Sequence, residues 1–282
     1  MKHIFLLALL LTASPALRAD DAELSPQFIG RVPVEKAHSF TGAAAETAFR
    51  PDAIKVLVWN IKKTEEKEWQ SEFLRFTKNR ELLVLQEVHE TDRFLFGRSS
   101  HPRHRFDLGT GFRYRGLNTG VMNAATVRPT ENKVLHSEDV EPVVLTPKAT
   151  IFTKYPIQGK AEELLVISVH GINLTNFASF KRHMDQAIAE IKAHTGPVLW
   201  AGDFNTRTKE RTAYLMEKVR ELNFSEVVFK NGDQRMVWKF TKNYLDHAFV
   251  RGLSVKYAEV IAQAKGSDHK PMVLDLALEE EL

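Results

Sequence analysis

The sequence predicts a layered α/β (α+β) domain over residues 53–282, and three observations carry that prediction. Short apolar runs of buried-strand type recur from Ile54 to Leu276. Segments with helical periodicity lie between some of them. No repeat of roughly 20–50 residues is present, which excludes a solenoid or a propeller.

Taken in order, the first run is Ile54–Trp59, and Trp69, Phe73 and Phe76 follow it at helical spacing. Leu82–Leu85 is the second strand and Leu164–Val169 the next clear one. Phe180, Met184, Ala187, Ile188 and Ile191 then share one apolar helix face, which Gly196-Pro197 terminates just before the strand Val198–Trp200. Tyr214, Met216, Val219 and Leu222 suggest a third helix, and Ala248–Val250 and Met272–Leu276 are the last strands. No internal stretch is rich enough in Gly, Ser or Pro to divide the domain.

Ahead of the domain, residues 1–19 read as a secretory leader. Lys2 is followed by an apolar run, Ile4–Leu11, and by small residues up to Ala16. Cleavage after Ala16 and cleavage after Ala19 both remain open. The run is too short for the roughly 20 residues that span a bilayer, so no stable membrane span is expected after cleavage. Export to the periplasm or the exterior follows as an expectation. Residues 20–52 contain Pro26, Pro33 and the run Gly42-Ala43-Ala44-Ala45, and read as an extension that wraps or dangles.

Composition narrows the chemistry. The chain has 282 residues, 43% of them hydrophobic, enough for a core without staples. It has no Cys, which excludes disulfide scaffolds, thiolate zinc sites, Fe–S clusters and cysteine nucleophiles. A net charge of +3 gives no polybasic signal by itself.

What stands at the strand ends is more informative. The apolar runs lead into Asn60, into Gln86-Glu87, into His170 with Asn173 beyond it, and into Gly202-Asp203-Phe204-Asn205. Leu245 is followed by Asp246, and Gly266-Ser267-Asp268-His269 precedes the last strand. Each alone fits a bland role: a turn residue, a solvated carboxylate, a core histidine or a helix cap. Their joint occurrence in order implies one convergent polar site on a rigid scaffold. Carboxylates and amides without thiolate suit a hard cation, Mg²⁺, Mn²⁺ or Ca²⁺, which Glu87 and Asn60 would hold. Histidines with carboxylates available suit proton transfer, and together the parts describe metal-assisted attack of water on a phosphate ester.

The motifs Val58-Trp59-Asn60-Ile61, Leu85-Gln86-Glu87-Val88, His170-Gly171-Ile172-Asn173, Gly202-Asp203-Phe204-Asn205, Leu245-Asp246-His247 and Ser267-Asp268-His269 resemble, in this order, those of the endonuclease/exonuclease/phosphatase superfamily. The resemblance covers about Ile54 to Leu276 and is strongest to a sparsely characterised bacterial branch. It implies a DNase I-like, four-layer sandwich of two packed mixed β-sheets flanked by helices. It also implies roles. Asn60 and Glu87 would hold the cation, and Asp268 would support a metal or orient a histidine. Asp203 would orient or deprotonate the water. Asn205 would stabilise charge on the phosphoryl oxygens or contact the metal. His170 would bond a non-bridging oxygen or assist the leaving group. His269, held by Asp246, would bind the scissile phosphate.

The chain departs from many nucleases of that superfamily at Asn118-Thr119-Gly120, where they carry Tyr or Arg; Asn118 stands as a candidate replacement contact. His247 either lines the site or is a structural strand histidine. Between Glu87 and Gly120 lies a basic, aromatic segment, with Arg103 and Arg105 at its middle. It reads either as a rim that tracks phosphates or as a strand pair with a solvated basic face. The expected substrate is a phosphoester, DNA or RNA first, cleaved by a monomeric nuclease. A phosphatase or sphingomyelinase-like phospholipase is the alternative. For that alternative Tyr155-Pro156-Ile157 speaks, and the lack of a clear exposed apolar hairpin speaks against it. A binding protein on a decayed hydrolase scaffold is the third reading, which the completeness of the polar strand ends disfavours.

Overall fold

In β3 (Ile54–Asn60), Val56 and Val58 face one way and Leu57 and Trp59 the other, and all four are buried. A strand buried on both faces must read as a continuous apolar run, which is why it was legible in the sequence. The computed structural model in which this strand is seen describes residues 29–230 and 233–279, and the leader predicted over residues 1–19 lies outside them.

One sheet contains β1 (Ile29–Arg31), β2 (His38–Thr41), β3, β4 (Leu82–His89), β5 (Arg105–Tyr114), β6 (Leu117–Ala125), β13 (Leu253–Val260) and β14 (Met272–Leu278). Its order is β1-β5-β6-β4-β3-β14-β13, with β2 also paired to β5. The second sheet contains β7 (Glu131–His136), β8 (Ala149–Pro156), β9 (Glu163–His170), β10 (Val198–Asp203), β11 (Ser225–Glu226) and β12 (Asp246–Arg251), in the order β11-β12-β10-β9-β8-β7. Both are mixed. The parallel pairs are β3 with β4 and β9 with β10.

The sheets pack face to face. Val56, Val58, Leu82 and Val84 meet Leu164, Val166, Leu199, Ala201, Ala248 and Val250 in one apolar layer. The opposite face of the first sheet, Leu57, Trp59, Leu83 and Leu85, is covered by α1 (Trp69–Phe76) and α2 (Asp92–Ser99). The opposite face of the second, Leu165, Ile167 and Trp200, is covered by α3 (Phe177–Lys192) and α4 (Lys209–Glu221). The result is four layers, the architecture expected. α3 begins where the Asn176 side chain caps the Ser179 amide, and it buries Phe180, Met184, Ala187, Ile188 and Ile191. Burying Phe180, Met184, Ile188 and Ile191 contributes about 1.5–3 kcal/mol each. Among the described residues no helix is long and apolar enough to cross a membrane.

Residues 29–52 wrap rather than dangle. β1 and β2 pair with β5, and Phe49 enters the inter-sheet core.

Gly202 shows how tightly the strands that carry the site are built. Its φ is +138°, and a Cβ there would lie 2.2 Å from the Val169 carbonyl oxygen of the neighbouring strand. Gly202→Ala is expected to cost about 2 kcal/mol or more, through backbone strain plus the clash. A urea midpoint equal to that of the wild type would refute this.

Candidate active site

Strand alternation aims the chemistry. Along β3, residues 56, 58 and 60 face the second sheet, so Asn60 continues the inward apolar row at its end. By the same parity His170 follows Val166 and Ser168, Asp203 follows Leu199 and Ala201, and Asp246 precedes Ala248 and Val250. The C-terminal ends of two parallel pairs, one from each sheet, therefore present polar groups into the same gap. Two side chains pin the sheets just beneath it: Gln86 Nε2 donates to Ser168 Oγ at 3.0 Å, and Ser168 Oγ donates to the Leu85 carbonyl at 3.2 Å.

Glu87 breaks the parity. It would share the outward face of Leu83 and Leu85, but the register between β4 and β6 shifts from Leu85 to Val88, and Glu87 has φ +51°. This bulge re-aims the carboxylate into the gap, a use of bulges common near active sites. There Asn60 Nδ2 donates to Glu87 Oε1 at 3.3 Å and to Asp203 Oδ2 at 3.1 Å. His170 Nε2 lies 3.6 Å from Asp203 Oδ2 and 3.9 Å from Glu87 Oε1.

His269 arrives from the loop before β14. Ser267 Oγ donates to the Asn60 carbonyl at 2.7 Å, and Trp59 Nε1 donates to the His269 carbonyl at 3.0 Å, so the loop is fastened to β3. His269 Nδ1 lies 2.8 Å from Asp246 Oδ2, and Nε2 lies 3.8 Å from Asp203 Oδ2. Asn205, at φ +53°, donates its backbone amide to Asp203 Oδ1 at 2.9 Å and its side-chain amide to the Gly171 carbonyl at 2.9 Å.

The remaining candidates lie outside this cluster. Asp268 is exposed, and its near contact is Ser267 Oγ at 3.3 Å. Asn173 closes a turn, its carboxamide oxygen accepting from the Leu174 amide. Asn118 is at the same end of the sheet, but its carboxamide is engaged, donating to Glu90 at 2.9 Å and accepting from Arg113 Nε at 3.2 Å. Arg103 and Arg105 require a correction. β5 runs in the same direction as β4, so its first residues lie beside Leu82, at the end of the sheet opposite Glu87. Arg103 pairs with Glu46 there, and Arg105 pairs with the buried Asp107 and lies over Phe40. His247 faces away from the cluster, between Thr206 and Glu226, as a structural residue.

The electrostatics separate the groups by role. Burial opposes the charge on Glu87, but the Lys63 ammonium at 2.5 Å, with His170 and Lys148 nearby, overrides it and holds the carboxyl well below the ordinary range. Burial drives Asp203 up to about 7, and Asp246 pushes the same way against the pull of His269. His269 rises to about 10 despite its burial, because Asp246 and Asp203 stabilise the imidazolium. His170 is pushed well below the ordinary histidine value by burial first and by Lys148 next. The site thus holds a neutral and a charged histidine side by side.

Donor atoms of Asp203, Asp246 and His269 lie within 4.8 Å of one another, which on distance alone could hold a metal ion. A protonated imidazole bonded at Nδ1 has no lone pair to give, so this trio is better suited to moving a proton. By chemistry the carboxylate of Glu87 and the carboxamide oxygen of Asn60 fit a hard cation better, although Asn60 here turns its Nδ2 to Glu87 and its oxygen to the Lys62 amide. Glu87 already presents its oxygen to a cation, the Lys63 ammonium.

Sequence reasoning missed Lys63, Glu141, Lys148, Arg207 and Arg211. Arg211 is buried and donates to the carbonyls of Ile172 and Asn205 at 2.8 and 3.1 Å, tying together the loops that follow β9 and β10. Arg207 donates to Asn205 Oδ1 at 3.2 Å and lies over Trp238. Arg207 and Arg211 follow Asn205 closely in the chain, and that proximity was the available signal.

Comparison with known proteins bears on the family and the fold. A protein from Vibrio campbellii named UPF0294 protein is 31% identical over 229 residues, covering 81% of this chain and 79% of the relative. Another of that name from Klebsiella pneumoniae is 32% identical, covering 80% and 83%. Among solved structures, an endonuclease/exonuclease/phosphatase family protein from Leptotrichia buccalis matches with a TM-score of 0.64 at 18% identity, over 80% of this chain and 100% of that one. D. rerio TDP2 complexed with single strand DNA product matches at 0.59 and 14% identity, over 79% and 98%. The family model for Endonuclease/Exonuclease/phosphatase spans residues 57–269, from the middle of β3 to His269 itself. With both ends of the polar cluster inside that span, the chain belongs to the endonuclease/exonuclease/phosphatase family.

Proposed function

We propose that the protein is an exported, divalent-metal-dependent phosphodiesterase, a nuclease first, with Mg²⁺ or Mn²⁺ as its cation. The observation that carries this reading is the convergence of Asp203, Asp246 and His269 beside Asn60 and Glu87. When bound at Asn60 and Glu87, the cation would supply Lewis-acid charge at a phosphoryl oxygen. The protein's own groups do the rest. Asp203 orients a water and takes its proton at a carboxylate oxygen. The His269 imidazolium, fixed by Asp246, donates to the phosphoryl oxygens as negative charge grows on them. Asn205 and the neutral His170 complete the polar wall around the reacting group. The DNA product named for the TDP2 neighbour supports a nucleic-acid substrate for a site of this architecture.

A second reading, a lipid phosphoester, has one specific observation in its favour. The sequence showed no clear apolar hairpin, but the loop between β7 and β8 exposes Val143 (76%) and Leu145 (58%), next to Glu141 at the site. Apolar tips beside a catalytic mouth suit a lipid interface.

The test is incubation of the mature chain with supercoiled plasmid, single-stranded DNA, RNA and phospholipid vesicles, with MgCl2, MnCl2 or EDTA. Metal-dependent nicking that Glu87→Gln abolishes is the expected result. Cleavage of vesicle lipid alone would replace the nuclease reading with the second one. Turnover undiminished by EDTA would end both.

A further inference from the structure

Beside Glu87 and His170 lies a small cavity of about 150 Å³, large enough for one compact polar group. Its walls include Lys63, Thr119, Glu141 and Lys148, with Gly111 and Gly120 keeping the strands close. Thr119 is buried, and its hydroxyl has no hydrogen-bond partner in the protein. A buried hydroxyl left unpaired costs about 1–3 kcal/mol; this one belongs to a lining residue but is closed to solvent, and a ligand in the cavity that draws it out relieves that cost. Two ammonium groups belong to the same cavity. Lys148 pairs with Glu141 at 3.3 Å, and Lys63 pairs with Glu87 at 2.5 Å.

Lys63 is held there by an unusual turn. Lys62, Lys63 and Thr64 have φ of 45°, 52° and 65°, three successive non-glycine residues in the left-handed region. Thr64 is β-branched, for which that region is strongly disfavoured. The turn is fastened at both ends: the Lys62 amide donates to Asn60 Oδ1 at 3.1 Å, and Arg93 donates to the Thr64 carbonyl at 2.6 Å. Strain of this kind persists at sites where surrounding structure over-determines it. Its consequence is an ammonium on the carboxylate assigned to the divalent cation.

We infer that this cavity is an anion subsite for a phosphate neighbouring the scissile one, formed by Thr119, Lys148 and Lys63, and that Lys63 turns to the anion when a divalent cation takes Glu87. This rests on the phosphoesterase reading and deepens it. The preferred substrate carries a second phosphate next to the bond that is cut, as a polynucleotide or a multiply phosphorylated ester does. While Glu87 is free of metal, Lys63 is engaged and the cavity is electrically balanced, two ammonium groups against two carboxylates. Cation binding at Glu87 tips that balance towards anions.

The experiment is calorimetric titration of sulfate into the protein with EDTA and with saturating MgCl2. Sulfate is expected to bind about tenfold more tightly with MgCl2, and Thr119→Val and Lys148→Met are each expected to weaken it by roughly tenfold, the scale of one charge-assisted hydrogen bond. Asn205→Ala, at the reacting centre, is expected to change it less than twofold. Thr119→Val removes a hydroxyl that bonds to nothing in the protein, so its melting temperature should not fall, which keeps the test clear of folding effects. Equal sulfate affinity with EDTA and MgCl2, wild-type affinity in Thr119→Val, or loss confined to Asn205→Ala would each overturn the subsite. Sulfate binding needs no turnover. An inactive enzyme with this binding pattern refutes the phosphoesterase reading alone, and an active enzyme without it refutes the subsite alone.

Discussion

Asp203→Asn is expected to lower turnover by about 10³-fold or more while leaving the protein as stable as the wild type, or more so, at neutral pH. Asp203 is the buried carboxylate facing both histidines, and no other ionised group among the described residues is placed to take a proton between them. Its pKa of about 7 is raised mainly by burial. The folded protein therefore binds this proton more tightly than the unfolded chain does. Above the ordinary aspartate value the ionised group works against folding, and the penalty grows until the pH passes about 7. Asparagine removes that penalty and keeps an oxygen for the Asn205 amide. Its new NH2 faces Asn60 Nδ2, and turning Asn60 to meet it would unpair the Lys62 amide, a cost of about 1 kcal/mol that offsets part of the gain. The combination of lost activity with an unchanged or raised melting temperature is the signature of a functional group kept at a cost. Turnover within tenfold of the wild type would remove Asp203 from the proton-accepting role.

Asp246→Asn should act on the other side of the pH profile. With Asp203 needing to lose its proton and His269 needing to keep its own, kcat/KM should rise through about pH 7 and fall through about pH 10. A bound cation would pull the lower limb further down. Asp246 is the largest influence raising His269, so its neutralisation should bring the alkaline limb down towards the ordinary histidine value. Turnover should fall by about 10²–10⁴-fold, since the imidazole also loses its orienting partner. Stability follows the same sign. His269 is raised on folding, so its pairing with Asp246 stabilises fully below the ordinary histidine value, and the contribution is lost as pH rises through about 10. The wild type and Asp246→Asn should therefore differ most in melting temperature on the acid side and converge above that pH. An alkaline limb unmoved in the variant would show that His269 is not the group that titrates there.

Much of the fold was legible because burial on both faces leaves a local signature. Ile54–Trp59, Leu164–Val169 and Val198–Trp200 extend in the structure only by one to three residues at their ends. The strands that sequence reasoning passed over are those whose apolar pattern is interrupted. β5 carries Asp107, Gly109 and Gly111, β6 carries Asn118, Gly120 and Asn123, and β7 and β13 are only partly buried. Their membership in a sheet depends on partners far along the chain, which no window of sequence contains.

The same division runs through the site. By itself the sequence pointed to the family, the layered class and the candidates Asn60, Glu87, His170, Asp203, Asn205, Asp246 and His269, because these polar residues stand at or just beyond the ends of apolar runs that are local in the chain. Only the tertiary structure decided which of these groups touch. It set the bulge that turns Glu87 inward, the pairing of His269 with Asp246, the ammonium of Lys63 on Glu87, and the removal of Arg103 and Arg105 to the far end of the sheet. Each of these is a matter of register between strands distant in sequence. A shift of one residue in register turns every side chain to the other face, so burial across the whole sheet, rather than any local motif, selects the arrangement that brings the charges together.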